Sequence, residues 1–158
     1  MISCYLGLGS NLRSPQRQLR QALTALRGLP STQVIKVAGF YRSSAWGRKA
    51  QPDYYNTVVA LQTSLTPEQL LMFCQKIERQ QGRIQKIRWG SRTLDIDILL
   101  FGTRKINSTK ITVPHPGLHL RDFVFVPLLE LSPKPAIMAN NNLSKLIKES
   151  KFCSTIKQ

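Results

Sequence analysis

The tightest constraint on this chain is the stretch Asp95-Ile96-Asp97-Ile98-Leu99-Leu100-Phe101. It is short, apolar, rich in Ile and Leu and closed by Gly102, which reads as a buried β-strand. Yet it carries two aspartates at i and i+2. Side chains alternate along a strand, so Asp95 and Asp97 emerge on one face, about 6.6 Å apart along the chain. Leu94, Ile96, Ile98 and Leu100 are expected on the other face. Two neighbouring carboxylates on such a strand repel each other and lose hydration unless cations compensate them. One way is a set of salt bridges at the sheet end. The other is a hard divalent cation, because Mg²⁺ takes one or two carboxylates and completes its octahedron with water and phosphate oxygens. Arg88, Trp89, Gly90 and Arg92 stand just upstream and supply phosphate-seeking cations, an aromatic cover and backbone freedom. They favour the cation site.

Composition sharpens this reading. The formal charge is +15, and the eight acids are Asp53, Glu68, Glu78, Asp95, Asp97, Asp122, Glu130 and Glu149. Only Asp95 and Asp97 fall close together, and in a chain so poor in acids a close pair calls for a chemical reason. The positive charge admits nucleic acid, an acidic membrane or a polyanionic small substrate as partner. With 158 residues and 42 % hydrophobic content, one globular domain over 1–158 is expected, with a frayed tail after Lys151. No apolar run has the length of a membrane span, and Met1 leads directly into a first strand rather than a leader. Cys4, Cys74 and Cys153 are odd in number and far apart, which points to a reducing, cytoplasmic setting and no zinc site.

In chain order, residues 2–9 predict a strand ending in Gly7-Leu8-Gly9-Ser10-Asn11-Leu12, which reads as a tight turn with local hydrogen bonds from Ser10 and Asn11, since the glycine spacing lacks the third member of a dinucleotide fingerprint. Ser14 and Pro15 predict a helix start with Ser14 as N-cap, and Leu19, Ala22, Leu23 and Leu26 give its buried stripe. Val34–Arg42 reads as a strand, 43–50 as an irregular loop holding Trp46, and Thr57–Thr63 as the next strand. Trp46, Tyr54, Tyr55 and Asn56 suit a flat heteroaromatic ligand: rings to stack on its faces, amide and hydroxyl groups for its edge. Thr66-Pro67-Glu68-Gln69 predicts a capped helix, with Gln75 and Glu78 together on one flank and Gly82 at its end. The resulting order is β-α-β-β-α-β, an α+β ferredoxin-like core with an antiparallel sheet and two helices on one face. Ile111–Pro116 is extended, Leu118–Leu131 helix-like around Pro127, and Leu143, Leu146 and Ile147 predict a short last helix. These C-terminal helices would complete a three-layer α/β/α domain.

The stretch Arg88–Phe101 resembles the most recognisable motif of the 6-hydroxymethyl-7,8-dihydropterin pyrophosphokinase family of the folate pathway. The resemblance spans nearly the whole chain: Gly7-Leu8-Gly9-Ser10-Asn11-Leu12, Phe40-Tyr41-Arg42-Ser43, Gln51–Asn56, Glu78–Arg83, Val113-Pro114-His115-Pro116 and Arg121–Val124 with Pro127-Leu128. It implies transfer of pyrophosphate from ATP to the hydroxymethyl oxygen of the pterin, with release of AMP. It also implies two Mg²⁺ ions on Asp95 and Asp97, and Arg83, Arg88, Arg92 and Arg121 on phosphates under Trp89. Gln75, Glu78, Ile98, Lys110, Thr112 and His115 would line the nucleotide, with His115 a phosphate contact rather than a general base. Tyr54 and Phe123 would sandwich the pterin, and Asn56, Asp95 and the backbone of Ser43, Ser44 and Trp46 would bond its edge. Gln85 and Lys110 stand where the family often has arginines, and Ser43-Ser44-Ala45-Trp46 replaces a more proline-rich loop.

Two other readings share the fold and the charge. An RNA-binding sheet needs aromatic side chains on its central strand, whereas Asp95 and Asp97 would repel phosphates without metal. Another Mg²⁺-dependent phosphoryl or nucleotidyl transferase would use the same pair. The expected protein is therefore a cytoplasmic monomer that uses ATP and the pterin, with no membrane and no specific nucleic acid as partner.

Overall fold

Strand β1 (Ile2–Ser10) is the spine of the fold, antiparallel to β4 (Tyr54–Thr63) on one side and to β5 (Asp95–Phe101) on the other. The computed structural model describes residues 1–43, 52–82, 93–118, 120–131, 133 and 156–158. Helices α1 (Pro15–Arg27) and α2 (Pro67–Gln80) follow β1 and β4, as the β-α-β-β-α-β order requires. The expected second strand is broken into β2 (Thr32–Val37) and β3 (Tyr41–Ser43), both antiparallel to β4. A two-stranded hairpin, β6 (Ile106–Asn107) with β7 (Thr112–Val113), stands apart from the main sheet. Helix α3 (Asp122–Glu130) and strand β8 (Ile156–Lys157) complete the described elements. Among the described residues the main sheet has six strands, ordered β5-β1-β4-β3-β8 with β2 also on β4.

Each face of the sheet has its own core. Cys4, Leu6, Leu8, Val59, Leu61, Ile96 and Ile98 meet Leu19, Leu23 and Leu26 of α1 and Leu70, Cys74 and Ile77 of α2. Tyr5, Val58, Leu99 and Leu100 meet Phe125 and Leu128 of α3 together with Leu118 and Leu131. The three layers expected from the sequence are present, with α3 as the second helical layer. The helix expected around Leu143–Ile147 lies outside the described residues.

Several local expectations need correction. Leu100 does not share a face with Ile96 and Ile98. The β1–β5 register slips between Tyr5 and Leu6, so Leu99 is an extra residue opposite β1 and Leu100 joins Tyr5 on the α3 side. Such a bulge reverses the alternation beyond it and returns Phe101 to the α1–α2 core. Gly7 and Gly9 do not form a turn; they lie inside β1. Ser14 precedes α1 but does not cap it: at φ 59 it is left-handed and its hydroxyl makes no cap bond, because a capping side chain needs extended backbone. The capping box of α2 is present, Gln69 N donating to Thr66 Oγ1 at 3.2 Å and Thr66 N to Gln69 Oε1 at 2.9 Å.

The chain after Lys151 is not wholly frayed either. Ile156 and Lys157 pair with Arg42 and Tyr41, and Gln158 N donates to Phe40 O at 2.7 Å. Lys157 also forms an ion pair with Glu130 at the end of α3. Glu130 Oε2 accepts from Gly39 N at 2.9 Å and from the Tyr41 hydroxyl at 3.0 Å. Burial pushes the Glu130 carboxyl up, but the hydrogen bonds from Lys157, Gly39 and Tyr41 and the Lys157 charge outweigh it and hold it below the ordinary value of 4.5. Lys157 is raised above 10.5 by the same hydrogen bond and ion pair. A lowered carboxylate contributes stability that is present above 4.5 and lost as pH falls through its depressed value. A raised amine contributes stability that is present below 10.5 and lost as pH rises through its elevated value. The clamp is thus intact between those limits. Amide exchange at Gln158 should accelerate as pH falls below 4.5, beyond the intrinsic trend, and Glu130→Gln should abolish that extra acid dependence.

Candidate active site

Paired residues on antiparallel strands share a face. Asn56 pairs with Gly9, and Gly9 with Asp95; Val58 pairs with Gly7, and Gly7 with Asp97. Ser43 pairs with Tyr54 and Tyr41 with Asn56. The α3 side of the sheet therefore carries a polar patch: Ser43 on β3, Tyr54 and Asn56 on β4, then a gap at Gly9 of β1, and Asp95 on β5. The gap is built in. A Cβ on Gly9 would lie 2.6 Å from Asn56 Oδ1, closer than any side chain can sit. Asn56 is buried and its Nδ2 has no hydrogen-bond partner among the described residues. Leaving a buried amide donor unsatisfied costs about 1–3 kcal/mol, so this group is suited to a ligand acceptor.

On the outer edge of β5 lies a cleft of about 270 Å³. Leu71, Gln75 and Glu78 line it from one stripe of α2; Ile96, Asp97 and Ile98 line it from β5. Lys110, Ile111, Thr112, His115 and Pro116 close it from the β6–β7 hairpin and the segment after it. That segment is tied to the strand by His115 N donating to Leu99 O at 3.0 Å. Asp97 belongs to both places. It lines the cleft, and it shares the sheet face with Asp95. Beneath it Cys74 is fully buried, its thiol pushed up to about 12 by burial and by the nearby Glu78 and Asp97 charges, which makes it an inert core residue.

His115 Nδ1 accepts from Gly117 N at 3.0 Å. The ring proton then resides on Nε2, so the neutral imidazole is a donor there, and an imidazolium would set two protons against each other at Nδ1. This geometry suits a phosphate contact and disfavours a general base. Arg121 precedes α3, with its guanidinium carbon 6.0 Å from the Phe123 ring centroid. Gly117 makes room for it: a Cβ there would lie 3.0 Å from Arg121 Nε.

Of the residues singled out in the sequence, Gln75, Glu78, Asp97, Ile98, Lys110, Thr112 and His115 come together in the cleft. Ser43, Tyr54, Asn56 and Asp95 fall on the sheet face beside it, and Phe123 is on the helix that covers that face. Ser44, Trp46, Arg83, Arg88, Trp89 and Arg92 lie outside the described residues. Sequence reasoning missed Gly9 as a spacer, because Gly-x-Gly before Ser-Asn imitates a turn. It also missed Leu71, Ile96, Ile111 and Pro116, the apolar walls of the cleft, which are not distinguishable from core residues before the hairpin is placed.

An antiparallel sheet whose edge strand sets two carboxylates between a mixed apolar–amide cleft and a glycine-spaced polar face has a layout suited to a group-transfer enzyme. Comparison with known proteins names the kind. The family model for 7,8-dihydro-6-hydroxymethylpterin-pyrophosphokinase (HPPK) matches residues 5–133. A 2-amino-4-hydroxy-6-hydroxymethyldihydropteridine pyrophosphokinase of Haemophilus influenzae is 42% identical over 149 residues, covering 94% of this chain and 93% of the relative. The enzyme of the same name from Pseudomonas aeruginosa is 41% identical over 148 residues, covering 94% and 91%. The crystal structure of Plasmodium falciparum HPPK-DHPS has a TM-score of 0.65 and 14% identity, over 94% of this chain and 43% of that one, a likeness of fold. The chain belongs to the HPPK family.

Gly9→Ala should lower pyrophosphokinase activity by about tenfold or more, because its methyl group drives Asn56 out of place. Gly28→Ala, whose Cβ would meet only Ala25 O at 3.5 Å, is the control and should leave activity unchanged in the same assay.

Proposed function

We propose that the chain transfers the pyrophosphoryl group of ATP to the hydroxymethyl oxygen of 6-hydroxymethyl-7,8-dihydropterin, in folate biosynthesis. The substrate oxygen attacks the β-phosphorus, the bond from that phosphorus to the α-bridging oxygen breaks, and AMP leaves. The observation that carries this reading is the double membership of Asp97, in the cleft and on the face of Asp95. Nucleotide in the cleft and pterin on the patch of Ser43, Tyr54, Asn56 and Asp95 would meet at these two carboxylates.

The donor chemistry fits Mg²⁺. Both aspartates offer hard oxygens, and no cluster of three His, Cys, Asp or Glu exists among the described residues to favour a softer or fully protein-held ion. Asp95 and Asp97 would hold two ions, which when bound to the triphosphate neutralise the charge of phosphoryl transfer. The chain's own residues do the rest. Gln75, Glu78 and Thr112 offer groups for the nucleoside, Ile98 an apolar wall, and Lys110 and the Nε2–H of His115 donors for phosphate. Arg121, with Arg83, Arg88 and Arg92 and under Trp89, would take the remaining phosphate charge. The unpaired Nδ2 of Asn56 faces the need of a pterin edge for a donor, with Ser43, Ser44 and Trp46 bonding beside it. Tyr54 and Phe123 would supply the stacking rings. The chain is also proposed to be one domain, a monomer and cytoplasmic, and the free, buried Cys4 and Cys74 support the last of these. No described helix is long and apolar enough to cross a membrane.

The RNA-binding reading is disfavoured by the same face of the sheet. Phe125 and Leu128 of α3 cover it beside Leu118, where an RNA-binding sheet would present aromatic rings to bases.

The decisive assay incubates the protein with ATP, Mg²⁺ and 6-hydroxymethyl-7,8-dihydropterin and separates AMP from ADP. Pterin-dependent AMP is the expected product; ADP would make this a simple kinase. Asp97→Ala should keep its far-UV circular dichroism and lose at least about a thousandfold in turnover. Retention of most activity by that variant would overturn the role given to the aspartate pair.

A further inference from the structure

Strand β3 is only three residues long, Tyr41–Ser43, and a short strand held by one partner has few bonds to fix it. It nevertheless carries Ser43 and, opposite Tyr41, borders Asn56. Its outer edge is held by β8, where Lys157 pairs with Tyr41. The Lys157 side chain then crosses over Gly39 to Glu130: a Cβ on Gly39 would lie 2.5 Å from Lys157 Cε. Glu130 in turn binds Gly39 N and the Tyr41 hydroxyl through its other oxygen. One carboxylate thereby joins β8, the break at residues 38–40, β3 and the last turn of α3. The first turn of the same helix bears Phe123. The family match ends at residue 133, so Lys157 lies beyond it.

We propose that Lys157 is a positioning residue for the pterin-side wall, acting through Glu130 to fix β3 against Asn56 and to set the cant of α3. The inference rests on the reading of that wall as the pterin site. It assigns Lys157 no contact with substrate. Lys157 lies on β8 at the opposite side of the sheet, with β3, β4 and β1 between it and β5 with its cleft, so the nucleotide half of the site should not feel its loss.

The test is steady-state kinetics with each substrate varied in turn. Lys157→Ala should raise the pterin KM about tenfold, the effect of losing one charged hydrogen bond that orders the wall, and leave the ATP KM within about twofold. Lys157→Arg, which keeps the charge and the donor, should restore the pterin KM. Gly39→Ala, which displaces the Lys157 stem by a different route, should reproduce the alanine phenotype. A general loss of stability would reduce the active fraction without separating the two KM values. An unchanged pterin KM in Lys157→Ala, or equal changes in both KM values, overturns the proposal. Asn56→Ala, measured alongside, separates the two levels: if it raises the pterin KM while Lys157→Ala does not, only the positioning role fails. If neither variant changes the pterin KM, the pterin wall itself is misassigned.

Discussion

The rest of the structure depends on the way β5 pairs with β1. One face of this strand must present Asp95 and Asp97 at one end and bury apolar side chains at the other. Regular alternation would supply Leu99 to that face and send Leu100 to the opposite one. The bulge at Leu99 supplies both, so Tyr5, Leu99 and Leu100 close a core under α3 directly beyond the carboxylates. Burying a side chain of that size is worth about 1.5–3 kcal/mol, so the apolar half of β5 readily offsets the strain of seating charge at the other end. The edge position matters too. Because no strand among the described residues pairs with the outer side of β5, Asp97 can face the cleft while its backbone stays in the sheet.

Glycine does the complementary work in β1. In a strand interior glycine loses more entropy than other residues and packs nothing, so two of them at Gly7 and Gly9 would ordinarily weaken a central strand. Here they stand opposite Asp97 and Asp95, and at Gly9 the vacancy is filled from the next strand by Asn56. The result is a face without a side chain at Gly9, with a buried amide donor held at its border. The cost in strand stability is local; the ten-residue strand β4 pairs with β1 along its full length and carries it.

Much of this was legible in the chain, and the failures have a common physical cause. The alternation that placed Asp95 and Asp97 together, the stripe of α1 and the Thr66–Gln69 box of α2 are local properties, set by residues within a turn or two of each other. The order β-α-β-β-α-β follows from those elements. What was not legible depended on distant partners. The bulge at Leu99 is a property of register with β1. The role of Gly9 requires Asn56, and the ordering of Ile156 and Lys157 requires Glu130 and the broken strand at residues 38–40. Ser14 failed as a cap because Arg13 and Ser14 turn left-handed at φ 52 and 59, which places Gln18 Nε2 on Arg13 O instead. Gln81 then bonds Gln18, so this strained corner ties the start of α1 to the end of α2.

The distribution of charge gives the last step. The chain carries 23 basic and 8 acidic residues, so its net charge attracts polyanions. Within that field, Glu78 and Asp97 line the cleft and Asp95 adjoins it. On the proposed reading of the site, a bare polyphosphate would be drawn toward the protein and then repelled at these carboxylates. A polyphosphate carrying divalent cations would meet no such barrier, since the cations would offset the carboxylate charge. If the aspartate pair holds metal as proposed, the acids would select as well as bind: the molecule would attract anions in general but favour at these carboxylates those already paired with metal.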